Sequence, residues 1–333
     1  MNAPVVNTSN TTNNVWYYFS RTFYSSSVLA IGTTIGFTGL LTNSILLVTI
    51  LMVRKLRKSS RTLTSLSLCG ILFAAVFILP IHLLPPQQSM AYLVNYDLLG
   101  ARCGVLLLIN INLHQCVLGI ERWLAVASPL RYRRYRKSKL VNFTCILLWV
   151  TSLILTHLPL AFRCIMTTTA SISALAASNE LRVKARRIEK ISFQVILSST
   201  YLMLLIIMVS SYCSTLASVN SSRRKNLFVC SKPKPKHMSS AKAIRQMTIV
   251  TGTFLILCSP ALTIIMSPML GSTHISNYTF TVISFYFLVS YPSAYPILYC
   301  YYGRNIKKEL QTAAMTRSIR SFNDSKIRDR TTS

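Results

Sequence analysis

Cys103–Tyr135 reads CGVLLLININLHQCVLGIERWLAVASPLRYRRY. The eighteen residues from Cys103 to Ile120 carry no formal charge. Glu121-Arg122-Trp123 ends the run, and six Lys/Arg follow between residues 128 and 139. At about 1.5 Å per residue, an uncharged helix of that length nearly crosses the hydrocarbon core of a bilayer. A charge pair at the end of such a helix is costly to bury, so it sits at a membrane face or serves a purpose.

The rest of the chain has the same texture. It is 333 residues long, 51% hydrophobic and only 13% charged, against about 25% charged in soluble domains. Lys and Arg number 36 and Asp and Glu only 7, a net charge of +29. Such a balance would suit nucleic acid, but the bases sit in short clusters between long apolar runs. That is the texture of a polytopic membrane protein, and a nucleic-acid partner is not expected. Of the nine cysteines, seven lie in apolar runs or on the inner side and read as small buried hydrophobes. No Cys-x-x-Cys or His/Cys cluster suggests a metal, and no cofactor is expected. The first 27 residues are polar with one charge, Arg21, so no cleavable signal peptide is expected.

Apolar runs predict seven spans, at about 28–53, 62–84, 97–127, 140–162, 191–219, 243–268 and 278–302. The expected fold is an all-α membrane protein, a seven-transmembrane helix bundle. Residues 303–313 read as a short amphipathic helix on the membrane surface, and 314–333 as a basic tail. Seven spans place the termini on opposite sides. Of the 36 bases, 28 fall on the C-terminal side and 8 on the other, so the positive-inside rule makes the former cytoplasmic. Residues 1–27 are then an extracellular tail, which agrees with its glycosylation sequons at Asn7 and Asn10.

With this order of spans, Glu121-Arg122-Trp123 resembles the Asp/Glu-Arg-Tyr motif of the rhodopsin-like (class A) G-protein-coupled receptors. Further motifs follow in register. Asn43 lies in span one, Pro129-Leu130-x-Tyr132 in the second inner loop, Trp149 and Pro159 in span four, and Tyr212 in span five. Phe254-x-x-x-Cys258-x-Pro260 is similar to the span-six motif, and Tyr295-Pro296-x-x-Tyr299 to Asn-Pro-x-x-Tyr. The likeness covers about residues 28–310. It implies a plasma-membrane receptor whose partners are an extracellular ligand, the lipid bilayer and a heterotrimeric G protein. Glu121 would pair with Arg122 at rest. Opening of span six about Pro260 would free Arg122 for the G protein, with Tyr212 and Tyr299 swinging in as hydrogen-bond partners. Trp123 and Pro296 belong to the same switch.

The departures are specific. Gly70 stands where the family has an Asp, and Tyr295 where it has an Asn; Ile111 and Tyr291 hold other positions that support sodium there. A hard cation needs several oxygen ligands, so no sodium pocket is expected. The missing side chain at Gly70 would leave room for the Tyr295 ring. Cys258 replaces the family's span-six Trp, and Leu204 its span-five Pro. Asp97 holds the place of the usual bridge cysteine. A shifted bridge between Cys103 and Cys164 remains open, as do two separate thiols.

By resemblance the ligand pocket would include Gly104, Val105, Leu108, Ala261, Leu262, Ile265, Phe285 and Val289, beneath a basic rim containing Arg102, Arg163, Arg182, Lys184, Arg186 and Arg187. Gly104 offers no counter-ion to an amine, and Val289 no amine to retinal. A lipid or a peptide is expected, with solvated loop bases the plain alternative. His82, His114 and His157 read as packed side chains. A constitutive, decoy or non-signalling protein of the same fold is the alternative function. A transporter or channel fits less well, because neither internal repeats nor mid-span charges are seen. No nucleophile–base pair or metal cluster suggests an enzyme.

Overall fold

The computed structural model describes residues 26–53, 56, 60–84, 99–137, 139–171, 178–228, 236–266 and 278–302. Asn7 and Asn10, the surface helix expected at 303–313 and the tail behind it lie outside the described residues. Every regular element among those described is a helix. They are α1 (Ser26–Met52), α2 (Arg61–Leu83), α3 (Leu99–Ala127), α4 (Pro129–Lys137), α5 (Leu140–Ser171), α6 (Ser178–Phe228), α7 (Lys236–Met266) and α8 (Tyr278–Tyr302). Helix α4 links α3 to α5 at the end of the bundle termed inner, and the other seven helices make the bundle. Six of them are long and apolar enough to cross a bilayer, and α7 has a shorter apolar stretch, Thr248–Ile264.

Helix α3 packs against α2, α5, α6 and α7, which puts it at the centre. Burial follows: 61% of its apolar window is inside, against 22% for α5. The outward face of α5 is built from Phe143, Ile146, Leu147, Val150, Leu153, Ile154 and Leu158, all exposed. Ile31, Phe37, Leu41, Ile45 and Val48 do the same on α1. In water such continuous apolar faces would aggregate, whereas hydrocarbon solvates them. This is a multi-pass membrane protein.

Several helices outrun the apolar stretches that define them. Helix α5 continues to Ser171 and α6 starts at Ser178, so the polar segment 163–190 is helical at both ends. Its Glu, Leu, Arg, Lys and Ala residues are strong helix formers and keep the helix going after it leaves the membrane. Helix α2 contains one wide turn, Ala74–Ile78, just before Pro80. Proline supplies no N–H and its ring crowds the carbonyl four residues back, and widening the turn relieves both effects.

Lipid tails are as apolar as leucine, so burial of apolar area does not hold helices together within a bilayer; packing and interhelical hydrogen bonds do. Trp149 Nε1 of α5 donates to Ser65 Oγ of α2 at 3.1 Å, and Ser65 Oγ lies 2.9 Å from His114 Nε2 of α3. His114 Nδ1 faces the Asn110 carbonyl at 2.8 Å, so Nδ1 donates there and Nε2 accepts from Ser65. His82 of α2 repeats the logic: Nδ1 donates to Ile78 O, and Nε2 accepts from Tyr286 of α8 at 2.7 Å. Gly32 of α1 admits that imidazole, since a Cβ there would stand 2.0 Å from Nε2.

The Gly70 position works differently from the expectation. A Cβ on Gly70 would lie 2.3 Å from Asn43 Oδ1, so Asn43, rather than the tyrosine ring, fills the space. The Tyr295 hydroxyl lies 2.6 Å from that same Oδ1 and 2.9 Å from the Leu66 carbonyl. Asn43 Nδ2 donates to the Pro292 carbonyl at 3.0 Å. That carbonyl lacks its helical partner because Pro296, four residues on, has no N–H. One asparagine thus ties α1 to a proline-opened α8. Gly70→Ala is expected to cost about 1–3 kcal/mol by overpacking this site, read as a lower melting temperature of the purified protein.

Candidate signalling site

The inner end of α3 carries the charges. Glu121, Arg122 and Trp123 are all half-buried. Thr62 of α2 donates to Glu121 Oε1 at 2.7 Å. The Arg122 guanidinium sits 4.7 Å from the centroid of the Tyr299 ring on α8. A partly desolvated cation over an aromatic face gains more than it would in water. The resemblance held Tyr299 in reserve as a hydrogen-bond partner; here it already meets Arg122 through its ring, and its hydroxyl donates to Gln115 Oε1 at 3.4 Å. Glu121 is steadied from α2.

Tyr299 ends an aromatic column. Tyr291, Tyr295 and Tyr299 fall four residues apart on α8, with ring centroids 6.1 and 6.2 Å apart. Phe254 of α7 meets Tyr291 edge-on at 5.2 Å. Pro260 lies inside α7 six residues outward of Phe254, and Pro292 and Pro296 lie inside α8. Each proline removes one backbone hydrogen bond, so both helices that flank the column have a place to bend. At the inner end, Thr248 Oγ1 of α7 donates to the Tyr212 hydroxyl of α6 at 3.2 Å. That bond keeps α6 and α7 together at the inner surface.

Helix α4 completes this face. Leu130, Arg131, Arg133 and Arg134 are exposed, while Tyr132 and Tyr135 are partly buried. Leu130, Arg133 and Arg134 share one helical face. Burial pushes the Tyr135 phenol up, so it stays neutral beside Glu121 and Thr144. Leu130 is 80% exposed, an apolar residue presented among bases at the mouth of the site.

The outer chamber differs from its sequence reading in two places. A Cβ on Gly104 would lie 2.1 Å from the Phe77 ring, so Phe77 occupies that space. Phe77 also packs on Phe73 at 5.4 Å and on Phe285 at 6.4 Å. The α2/α8 side of the chamber is therefore filled with aromatic rings. Arg102 does not serve as a free rim cation. Its Nη2 lies 2.6 Å from Glu189 Oε1 of α6, with the two side chains 7% and 11% exposed. Val289, Ala261 and Leu108 are buried, and Val105 and Leu262 partly so. The side chains of Ile265, Arg163, Arg182 and Arg186 lie outside the described residues, and Lys184 and Arg187 are exposed. The bridge left open between Cys103 and Cys164 is not made: Cys103 is a half-buried free thiol, and Cys164 lies exposed on α5. The ion pair of Arg102 with Glu189 ties the outer end of α3 to α6 instead.

The family model described as 7 transmembrane receptor (rhodopsin family) matches residues 42–299. The chain belongs to that family. No curated protein matches the chain.

Proposed function

We propose that this protein is a plasma-membrane G-protein-coupled receptor, with its N-terminus outside and glycosylated at Asn7 and Asn10, that passes an extracellular signal to heterotrimeric G proteins. The observation that carries the reading is Arg122 stacked on Tyr299 at the inner end of α3. A cation held by a ring on a proline-broken helix is a two-state contact, and a G protein that binds the released arginine shifts its balance. The Tyr212–Thr248 bond has to part when α7 swings out. Leu130 and the α4 bases add an apolar and positive contact for the same partner. The ligand is an apolar molecule such as a lipid, or a peptide with an apolar anchor, and it is neither an amine nor a retinal. No enzymatic activity is proposed.

The test is a panel of G-protein biosensors in transfected cells, with a lipid and peptide library applied to the wild type and to Arg122→Ala. A ligand-dependent signal in the wild type alone supports the reading. A second reading has its own support: Cys258 replaces the usual tryptophan, and Tyr299 already engages Arg122. A constitutive receptor would give a high basal signal, abolished by Arg122→Ala, that no ligand raises further. Silence with every G-protein class would point to a decoy.

A further inference from the structure

The inner surface of the bundle carries bases without acids. Residues 1–96 and 122–179 contain no Asp or Glu. Helices α1, α2, α4 and α5 fall within those stretches, so their bases have no carboxylate on any of the four. Glu121 of α3, at the same end, accepts from Thr62.

Three residues meet at the seam between α2 and α5. Arg61 opens α2, and its Nη1 donates to Asn142 Oδ1 in the first turn of α5 at 3.0 Å. Lys139 is exposed just before α5, and its carbonyl accepts the first-turn bond from the Phe143 N–H at 3.1 Å. Lys139 and Asn142 are three residues apart, which makes them neighbours on one side of the helix. Asn142 thus braces a guanidinium and stands beside an ammonium. The first turn of α5 holds no acid to offset the positive end of its dipole.

This polar seam adjoins the lipid-facing surface. Phe143 lies one turn from Lys139 and Ile146 one turn from Asn142, and the two are 61% and 62% exposed. Leu68, two turns along α2 from Arg61 and on the same face, is exposed as well. Donors one turn away from side chains that face hydrocarbon lie at the depth of lipid phosphates.

We propose that Arg61, Lys139 and Asn142 bind the headgroup of an inositol phospholipid carrying several phosphates, with its acyl chains on Leu68, Phe143 and Ile146. The Arg61 fork keeps N–H donors for a phosphate while one holds Asn142, Lys139 supplies a point charge, and Asn142 Nδ2 is a further donor. Two bases and a helix N-terminus suit a multiply charged headgroup better than the single net charge of phosphatidylserine. The inference takes from the receptor reading only that this end faces the cytoplasm, the side on which such lipids lie.

The experiment uses the full chain in dodecylmaltoside micelles and reads the anisotropy of a fluorescent phosphatidylinositol bisphosphate. Unlabelled phosphatidylinositol bisphosphate is expected to displace the probe at least about tenfold better than phosphatidylserine or free inositol trisphosphate. Arg61→Gln with Lys139→Gln weakens binding by roughly twenty-five-fold, about fivefold for each base. Arg133→Gln with Arg134→Gln removes the same charge from the exposed face of α4 and costs less than about threefold. Asn142→Ala changes no charge, yet it weakens binding by about threefold or more because Arg61 loses its brace. Melting is measured for every variant. Should the Arg61 variant fail to fold, Lys139→Gln alone, at an exposed site, still carries the test.

No binding of the probe, or wild-type affinity in Lys139→Gln, overturns the proposal. Equal loss in the two double variants, or wild-type affinity in Asn142→Ala, marks a diffuse field of charge and overturns it too. Equal displacement by phosphatidylserine or by free inositol trisphosphate removes the lipid assignment. Binding is read without G protein, so failure here leaves coupling through Arg122 untouched, and failed coupling leaves the binding result standing.

Discussion

Arg122→Ala is expected to drop receptor-stimulated nucleotide exchange by at least about tenfold while leaving the fold intact. Losing a charged contact is worth roughly 1.5–3 kcal/mol, which is ten- to more than a hundredfold in an equilibrium. The substitution removes both halves of the switch. It takes away the cation that holds the Tyr299 ring at 4.7 Å, and it takes away the charge that would meet the G protein. The fold tolerates the change because Arg122 is only half-buried and its resting partner is a ring. A cation–π contact there contributes about 0.5–2 kcal/mol. Arg122→Lys keeps the charge but loses the planar fork that stacks on tyrosine, and an intermediate rate is expected. Guanine-nucleotide exchange on purified G protein measures all three; wild-type exchange in the alanine variant would remove the switch assignment.

The largest stability effect is expected at the outer end. Arg102→Leu leaves the Glu189 carboxylate buried without its guanidinium, and Glu189→Leu strands the arginine in the same way. Breaking one partner of a buried ion pair costs about 3–5 kcal/mol. Replacing both by leucine restores much of that, because two apolar side chains impose no such desolvation cost. The pair joins α3 to α6 across 87 residues, where Cys103 makes no bridge. Thermal unfolding of the two single variants and the double variant in nanodiscs gives the cycle. Single variants that melt with the wild type would show that the pair does not tie α3 to α6.

What the sequence reveals, and where it stops, follows from the range of each interaction. Glu121 and Arg122 stand out because they end eighteen uncharged residues, and a membrane imposes that pattern locally. Tyr295 and Gly70 stand out as paired departures, but the side chain between them, Asn43, comes from a third helix. Arg102 is misread as a rim cation because its partner is far along the chain, in a segment that looks like loop. Gly104 reads in the sequence as a lining residue of the pocket, and nothing local says that Phe77 leans onto it. The polar cluster inside α3 could have been noticed. ININLHQ places Asn110, Asn112, His114 and Gln115 inside an apolar span, and polar residues at that depth mark partners or ligands. The sequence does not sort them; the structure does, giving His114 to Ser65 and Gln115 Oε1 to Tyr299.

The central claim is that the inner end of α7 swings out, away from α6 and the rest of the bundle, when a G protein binds. The most direct measurement is the distance from Leu140 on α5 to Gln246 on α7, by electron–electron double resonance between genetically encoded spin labels in nanodiscs. Nucleotide-free G protein is expected to shift the population to a longer distance in the wild type, and to leave it unchanged in Arg122→Ala. A wild-type distance that stays the same while the G protein is bound would contradict the account.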